Sequence, residues 1–262
     1  MSETDAELAI RAAEAGARVV RAMYGRPLER FAKSGDDFAT EADIVAELAT
    51  TAVLREARPA DAVLGEEGGE VGGATSGRRW LVDPLCGTRN FAARTPLVAV
   101  NVALRAGDRT TAAAAADPLS DEVFWTDGEA AFVRANGRDE PARPDPTSRL
   151  VDLNLDPPFP NADRFRAARL LTDEGFTAAF RPRVLSTTLA LTWVAAGRRA
   201  AYVTDGHLAG SAHFSSGIAL CRAAGCVVTT LAGEPVHTGV QGLIAAADAA
   251  THAELLDLVS RT

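Results

Sequence analysis

The stretch Trp80-Leu81-Val82-Asp83-Pro84-Leu85-Cys86-Gly87-Thr88-Arg89-Asn90-Phe91 decides how this chain is read. An apolar run ends in an acid, turns through Pro84 and Gly87, and then offers Thr88 and a polar pair. That is the pattern of a strand whose C-terminal end presents Asp83 to a turn able to hold a metal ion or a phosphate. A second acidic turn, Gly65-Glu66-Glu67-Gly68, follows the apolar Val63-Leu64. Two strand-end carboxylates in one chain can converge on a hard divalent cation such as magnesium. Either piece alone is equally at home as ordinary turn chemistry.

The 262 residues suffice for a large core, as one big domain or two coupled lobes. A hydrophobic fraction of 47% excludes disorder as the default state. A net charge of −8 and a pI near 5.1 argue against a nucleic-acid or anionic-membrane partner. No apolar run approaches bilayer length, and the first 25 residues lack the layout of a signal peptide. They read as an amphipathic helix with Leu8, Ala12, Ala15, Val19 and Met23 on one face. The cysteines Cys86, Cys221 and Cys226 are odd in number and lack zinc-ligand spacing, which points to a reducing cytoplasmic setting. Lys33 is the only lysine.

Taken in order, Thr40 is placed to cap a helix through Ile44, Val45, Leu48 and Val53, with Asp43 in its first turn. Residues 71–79 read as a loop, and 98–104 as a strand. Residues 110–116 favour helix by propensity, yet the Asp117-Pro118 turn and the strand-like 122–125 and 128–133 make them part of a meander. Asn136-Gly137 reads as a hairpin turn. Residues 141–146 form the clearest linker, and 150–155 start a second lobe as a strand. Beyond them lie a helix capped by Asn161 through Arg164, Ala168 and Leu171, and a helix entry at Ser186-Thr187-Thr188. A strand at 201–203 is followed by a helix over 217–225, a strand at 242–246 and a helix over 252–259.

The order and spacing of these pieces resemble the inositol monophosphatase family, and the likeness covers nearly the whole chain. The family's strand-end motif runs Asp-Pro-x-Asp-Gly-Thr-x-Asn-Phe; Asp83, Pro84, Gly87, Thr88, Asn90 and Phe91 match it, while Cys86 replaces the second Asp. Lys33 matches a loop lysine, and Asp37, Thr40 and Asp43 match an Asp-x-x-Thr-x-x-Asp motif. Counting back from Gly217 places Ser211 and Ala212 where the family has Trp-Asp, with His213 the next residue.

The resemblance implies an α/β fold, a layered α/β/α/β/α sandwich of two lobes like inositol monophosphatase and fructose-1,6-bisphosphatase. The expected lobes are 1–145, carrying the metal and phosphate motifs, and 146–262, completing the pocket. It implies hydrolysis of a small sugar or polyol (cyclitol) phosphomonoester by metal-activated water, in a homodimer; the cysteine count adds the cytoplasmic setting, and the net charge of −8 the expectation of no nucleic-acid or membrane partner. One magnesium is expected on Glu66, Asp83 and the Leu85 carbonyl. Thr88 and Glu66 would help activate the water, with Asp43 and Cys86 as further catalytic candidates. The backbone of Cys86, Gly87 and Thr88 would receive the phosphate, and Ser186, Thr188, Asp205 and His213 would line the substrate pocket.

The second magnesium of the family rests on three aspartates, of which only Asp83 remains by this count. A thiol and a methyl group are poor replacements, and the loss costs roughly 10²–10³ in rate. Two alternatives stay open. One is different chemistry on the same scaffold, through a softer metal at Asp83, Cys86 and His213 or through a Cys86 thiol whose pKa falls at a helix N-terminus. The other is a non-catalytic binder of a phosphorylated ligand. His207, His237 and His252 read as ordinary histidines.

Overall fold

The computed structural model describes residues 3–33, 35, 37–73, 75–156, 161, 165–206, 208, 211–237 and 241–261. The chain opens with α1 (Asp5–Met23), a short β1–β2 pair (Arg30–Ala32 and Phe38–Thr40) and α2 (Glu41–Ala57). The strands β3 (Ala62–Gly65), β4 (Gly69–Val71) and β5 (Arg78–Cys86) lead to the one-turn α3 (Thr88–Ala92). A meander follows: β6 (Ala99–Ala106), β7 (Arg109–Asp117), β8 (Glu122–Thr126), β9 (Ala131–Ala135) and β10 (Arg138–Pro141). The remainder comprises β11 (Leu150–Asn154), α4 (Ala167–Leu170), α5 (Glu174–Ala179), β12 (Arg181–Val184) and α6 (Leu189–Ala195). It closes with β13 (Ala201–Thr204), α7 (Ser215–Ala223), β14 (Val227–Thr229), β15 (Leu243–Ala246) and α8 (Ala249–Arg261).

Two large sheets form. The first has eight strands in the order β10-β9-β8-β7-β6-β5-β3-β4, antiparallel except where β3 runs parallel to β5. The second has five, β12-β11-β13-β15-β14. Strand alternation sorts their side chains into three apolar layers. Val100, Val102 and Leu104 of β6 and Ala112, Ala114 and Ala116 of β7 face α1 and α2, together with Trp80 and Val82 of β5. Ala99, Ala115 and Phe124 face the other way, packing with α6, α7, Tyr202 and Leu243 of the second sheet. On the far side of that sheet, Val151, Leu153, Val203 and Ile244 pack with Phe176, Phe180 and α8. The result is the α/β/α/β/α layering expected from the sequence.

Local chemistry explains the element ends. Thr40 caps α2 through a capping box with Asp43, and Thr4 caps α1 in the same way with Glu7. The alanine run in β7 is a strand because tertiary packing overrides propensity: it is hydrogen-bonded on both sides and covered on both faces, where only small side chains let the helices lie close. Asn136-Gly137 makes the turn between β9 and β10.

Several boundaries differ from expectation. Residues 71–79 are not all loop, since β4 ends at Val71 and β5 starts at Arg78. Arg183 and Val184 belong to an edge strand, β12, which pairs in parallel with β11. The helix expected from Asn161 through Leu171 does not form as such: Asn161 lies in a turn, Phe165 and Arg166 are not helical, and only the one-turn α4 follows; Arg164 and His207 lie outside the described residues. No described helix is long and apolar enough to cross a membrane.

The tight alanine layer makes a direct prediction. Ala114, fully buried between α1 and its neighbouring strands, has no room for four-carbon side chains. Ala114→Leu is expected to lower the unfolding free energy by about 1–3 kcal/mol through overpacking, read as a lower denaturant midpoint at unchanged slope.

Candidate active site

The site is built on an irregularity in β5. Asp83 stands opposite Asn101 of β6, and Cys86 stands opposite Ala99, so three steps along β5 match two along β6. In a regular strand, residues three apart point to opposite faces; the extra residue at Pro84-Leu85 puts Asp83 and Cys86 on the same face. Proline suits this position because a bulged residue has no ladder hydrogen bond to donate. Leu85 turns back into the α1–α2 layer, while Cys86 reaches the layer beneath α6 and α7.

Beside it, β3 runs parallel to β5 in a register that brings Gly65 opposite Val82. The Glu66 amide continues the ladder by donating to the Val82 carbonyl at 3.1 Å, so Glu66 and Asp83 leave adjacent strand ends side by side. Both carboxylates lie near one atom: His213 Nδ1 is 2.7 Å from Asp83 Oδ2 and 3.8 Å from Glu66 Oε2. Asp83 is fully buried. Its Oδ2 also accepts from Asn101 Nδ2 at 3.3 Å, whereas Oδ1 is buried with no hydrogen-bond partner among the described residues.

A second group of contacts joins α2 to the turn after β5. Thr88 Oγ1 lies 2.8 Å from Asp43 Oδ1 and 3.2 Å from the Leu85 carbonyl oxygen. The other Asp43 oxygen accepts from the Thr40 amide at 2.8 Å and from the Thr40 hydroxyl at 2.6 Å. Lys33 reaches in from the β1–β2 segment, its Nζ 3.1 Å from Glu66 Oε1 and 2.6 Å from Glu67 Oε1. Gly87 has φ +97°, and a Cβ there would lie 2.7 Å from the Leu97 carbonyl oxygen, so only glycine makes this turn without strain. Asn90 braces it by donating to the Leu97 and Ser186 carbonyls at 2.9 and 2.6 Å.

The electrostatics follow from burying acids together. Burial, and then the negative charge of Asp83, push the Glu66 carboxyl up to about 8. Burial works in the same direction on Asp83, but the His213 imidazolium beside it prevails and holds Asp83 below its usual range. Asp83 in turn holds His213 well above the ordinary histidine value. Asp43 is raised by burial despite its threonine hydrogen bonds. Lys33 is held above its usual range by Glu66 and Glu67, against the opposing effect of burial.

Cys86 corrects one expectation. Its thiol is fully enclosed, and burial followed by the charge of Asp83 pushes it up, not down. The helix beyond it is only five residues long and its cap is Gly87, so no helix end activates the sulfur. The side chain presented to Asp83 is that of His213, where counting motifs had put Ala212 at the third aspartate's place.

Other expected residues divide. Thr188 joins the site: its hydroxyl accepts from Asn101 Nδ2 at 2.9 Å, and its amide donates to Cys86 Sγ at 3.4 Å. Ser186 offers its carbonyl to Asn90, and its hydroxyl donates to Asp156. Asp205 is buried at the end of β13 and accepts from the Ala167 amide at 3.3 Å, apart from the carboxylate cluster's hydrogen bonds. Two residues were missed in the sequence. Asn101 sits mid-strand with only alternation to mark it, and it ties Asp83, Thr188 and Ser216 together. Glu47 accepts from the Glu67 and Gly68 amides at 2.7 and 2.6 Å and so fixes the turn that carries Glu66. Its only sequence signal was an acid among apolar helix positions. A Cβ on Gly65 would come within 2.4 Å of that carboxyl, which explains the glycine.

The profile of the inositol monophosphatase family matches residues 1–262, and the chain belongs to that family. It is 34% identical over 257 residues to an inositol-1-monophosphatase of Caulobacter vibrioides, covering 95% of this chain and 98% of that one. It is 33% identical over 237 residues to the Nus factor SuhB of Escherichia coli K12, with 86% and 85% covered. The crystal structure of the extragenic suppressor protein suhB from Bartonella henselae superimposes with a TM-score of 0.83 at 28% identity, covering 95% of each chain. Membership supports a phosphatase-like, metal-dependent function on a phosphorylated small molecule.

Glu47 offers a test of how the acidic turn is held. Glu47→Ala leaves two amides without acceptors and is expected to lower the unfolding free energy by about 2–4 kcal/mol, with Glu47→Gln recovering part of it. Denaturant titration of the three proteins reads the difference.

Proposed function

We propose that the protein hydrolyses a small sugar or cyclitol phosphomonoester with a water activated at a metal ion. The observation that carries this reading is the convergence of Asp43, Glu66, Asp83 and Thr88, from three separate sequence motifs, around the ends of β3 and β5. The donor set fits a hard cation: the Glu66 and Asp83 carboxylates and the Leu85 carbonyl are all oxygen, and the two carboxylates leave adjacent strand ends side by side. Magnesium held there supplies a water of lowered pKa and polarises a phosphoryl oxygen.

The chain's own groups do the rest. The Thr88 hydroxyl donates its proton to Asp43, which leaves its lone pairs to accept from a water and aim it. Thr40 keeps Asp43 fixed for that task through two hydrogen bonds, one from its amide and one from its hydroxyl. Lys33 balances the Glu66 and Glu67 charge and stands ready for the incoming phosphate. The backbone of Cys86, Gly87 and Thr88 is the phosphate cradle, with Ser186, Thr188 and His213 nearest to take the alcohol. Asp205, whose Oδ2 accepts from the Ala167 amide, has its Oδ1 without a hydrogen-bond partner among the described residues to offer a substrate hydroxyl. The net charge of −8 favours a small anion drawn in by a metal over a polyanionic backbone.

The test is phosphate release from a panel of inositol, fructose and glycerol phosphates with magnesium, manganese or zinc. Release is expected with at least one pair. Thr88→Ala should lower kcat by about 10²–10⁴, and Asp83→Asn should abolish the metal requirement together with the activity. No release from any ester with any of the three ions would overturn the reading.

A further inference from the structure

We propose that Asp83, Cys86 and His213 form a second metal site that takes a borderline transition-metal dication, zinc by preference, rather than magnesium. In placing that ion at the substrate's leaving oxygen the proposal rests on the phosphatase reading. As a binding site it stands on geometry of its own.

One oxygen, one sulfur and one nitrogen from these residues all lie within 4.8 Å of one another. Tetrahedral ligands at about 2.0–2.3 Å from one zinc lie about 3.3–3.8 Å apart, so side-chain shifts of about 1 Å gather the three, with His213 giving up its direct contact to Asp83 Oδ2. The second observation is the orphaned Asp83 Oδ1, on a side chain with no solvent exposure at all. A buried carboxylate oxygen without a partner is costly, and a cation removes that cost. The surroundings hold the donors in place. Asn101 fixes the other Asp83 oxygen and is itself locked by Thr188 at 2.9 Å and Ser216 at 2.8 Å. The Thr188 amide points at the Cys86 sulfur, the kind of donor that stabilises a metal-bound thiolate.

Donor chemistry then chooses the ion. Magnesium demands oxygen, whereas thiolate and imidazole suit zinc and its neighbours. Three protein donors are also the number found in catalytic zinc sites, where the fourth position is left for water or substrate. Cys86 and His213 both move the site toward softer metals than an all-carboxylate set would take.

Cobalt(II) reports the sulfur directly, because thiolate ligation gives a near-ultraviolet charge-transfer band that oxygen ligands do not. Titration of the substrate-free protein with cobalt, with magnesium in excess, is expected to raise that band to saturation at one ion per chain. Zinc should then bleach it. Cys86→Ser should abolish the band and weaken zinc binding by at least about 100-fold, the upper end of what even an outer partner's loss costs. Cys221→Ser, whose thiol instead donates to the Leu191 carbonyl, should leave it intact. Cys86→Asp with His213→Asp should lose zinc preference and gain magnesium binding by calorimetry. Cobalt uptake without the band in the unsubstituted protein would overturn the proposal, as would a band that survives Cys86→Ser. None of these readouts requires turnover, so a protein that binds zinc here yet releases no phosphate would fail the phosphatase reading alone.

Discussion

The structure depends on the bulge that Pro84 and Leu85 introduce into β5. Without that extra residue Asp83 and Cys86 would point to opposite faces, one into the layer under α1 and α2 and the other into the cleft. With it, one strand end delivers a carboxylate, a carbonyl, a thiol and a hydroxyl within a few residues. Everything else at the site is arranged around that strand end: β3 is parallel so that Glu66 leaves the sheet at the same level, and α2 brings Asp43 over Thr88. β5 lies inside the eight-stranded sheet, paired with β3 on one side and β6 on the other, which fixes the level at which these groups leave it.

Burying so much negative charge needs compensation, and two basic side chains provide it. Lys33 pairs with Glu66 and Glu67, and His213 pairs with Asp83. Each occupies ground that a dication would claim, which accounts for acids that stay folded together without mutual expulsion. The compensation is incomplete: Glu66 is still pushed up to about 8, and Asp83 Oδ1 still has no partner among the described residues. That residual deficit is what a bound cation would relieve in the proposed site.

Much of this was legible in the sequence because the chemistry-bearing residues lie in short, spaced motifs at strand ends. Alternation and turn residues marked the strand ends that carry Glu66 and Asp83, the resemblance to the inositol monophosphatase family singled out these two and Thr88 as site residues, and Thr40 announced its helix by capping chemistry. What escaped was contact across the chain. Asn101 looks like any polar residue in an alternating strand until the register with Asp83 is known. Glu47 acts on backbone amides twenty residues away, for which no local pattern exists. The Ala212–His213 choice turned on a count of one along a turn, and only the side chain's direction decides it. The fall expected of the Cys86 thiol's pKa assumed a helix end; burial beside a carboxylate reverses the sign.

Cys86 also shows why the scaffold tolerates a change of metal chemistry. Its side chain lies in the apolar layer with Leu189, Leu191 and Tyr202, yet its sulfur faces Asp83 and the Thr188 amide. A thiol is at home in both settings, being a small hydrophobe on one side and a soft ligand on the other. An aspartate in the same place would need a counter-charge, hydrogen bonds or a proton to stand the apolar contact. A cysteine needs none of these, and it costs little when the ion is absent. His213 complements it, because an imidazole can form an ion pair with Asp83 when no metal is bound and ligate when one is. In the proposed site the two residues can therefore remain satisfied when empty, Cys86 by its apolar contacts and His213 by its ion pair with Asp83, and would select by softness when filled.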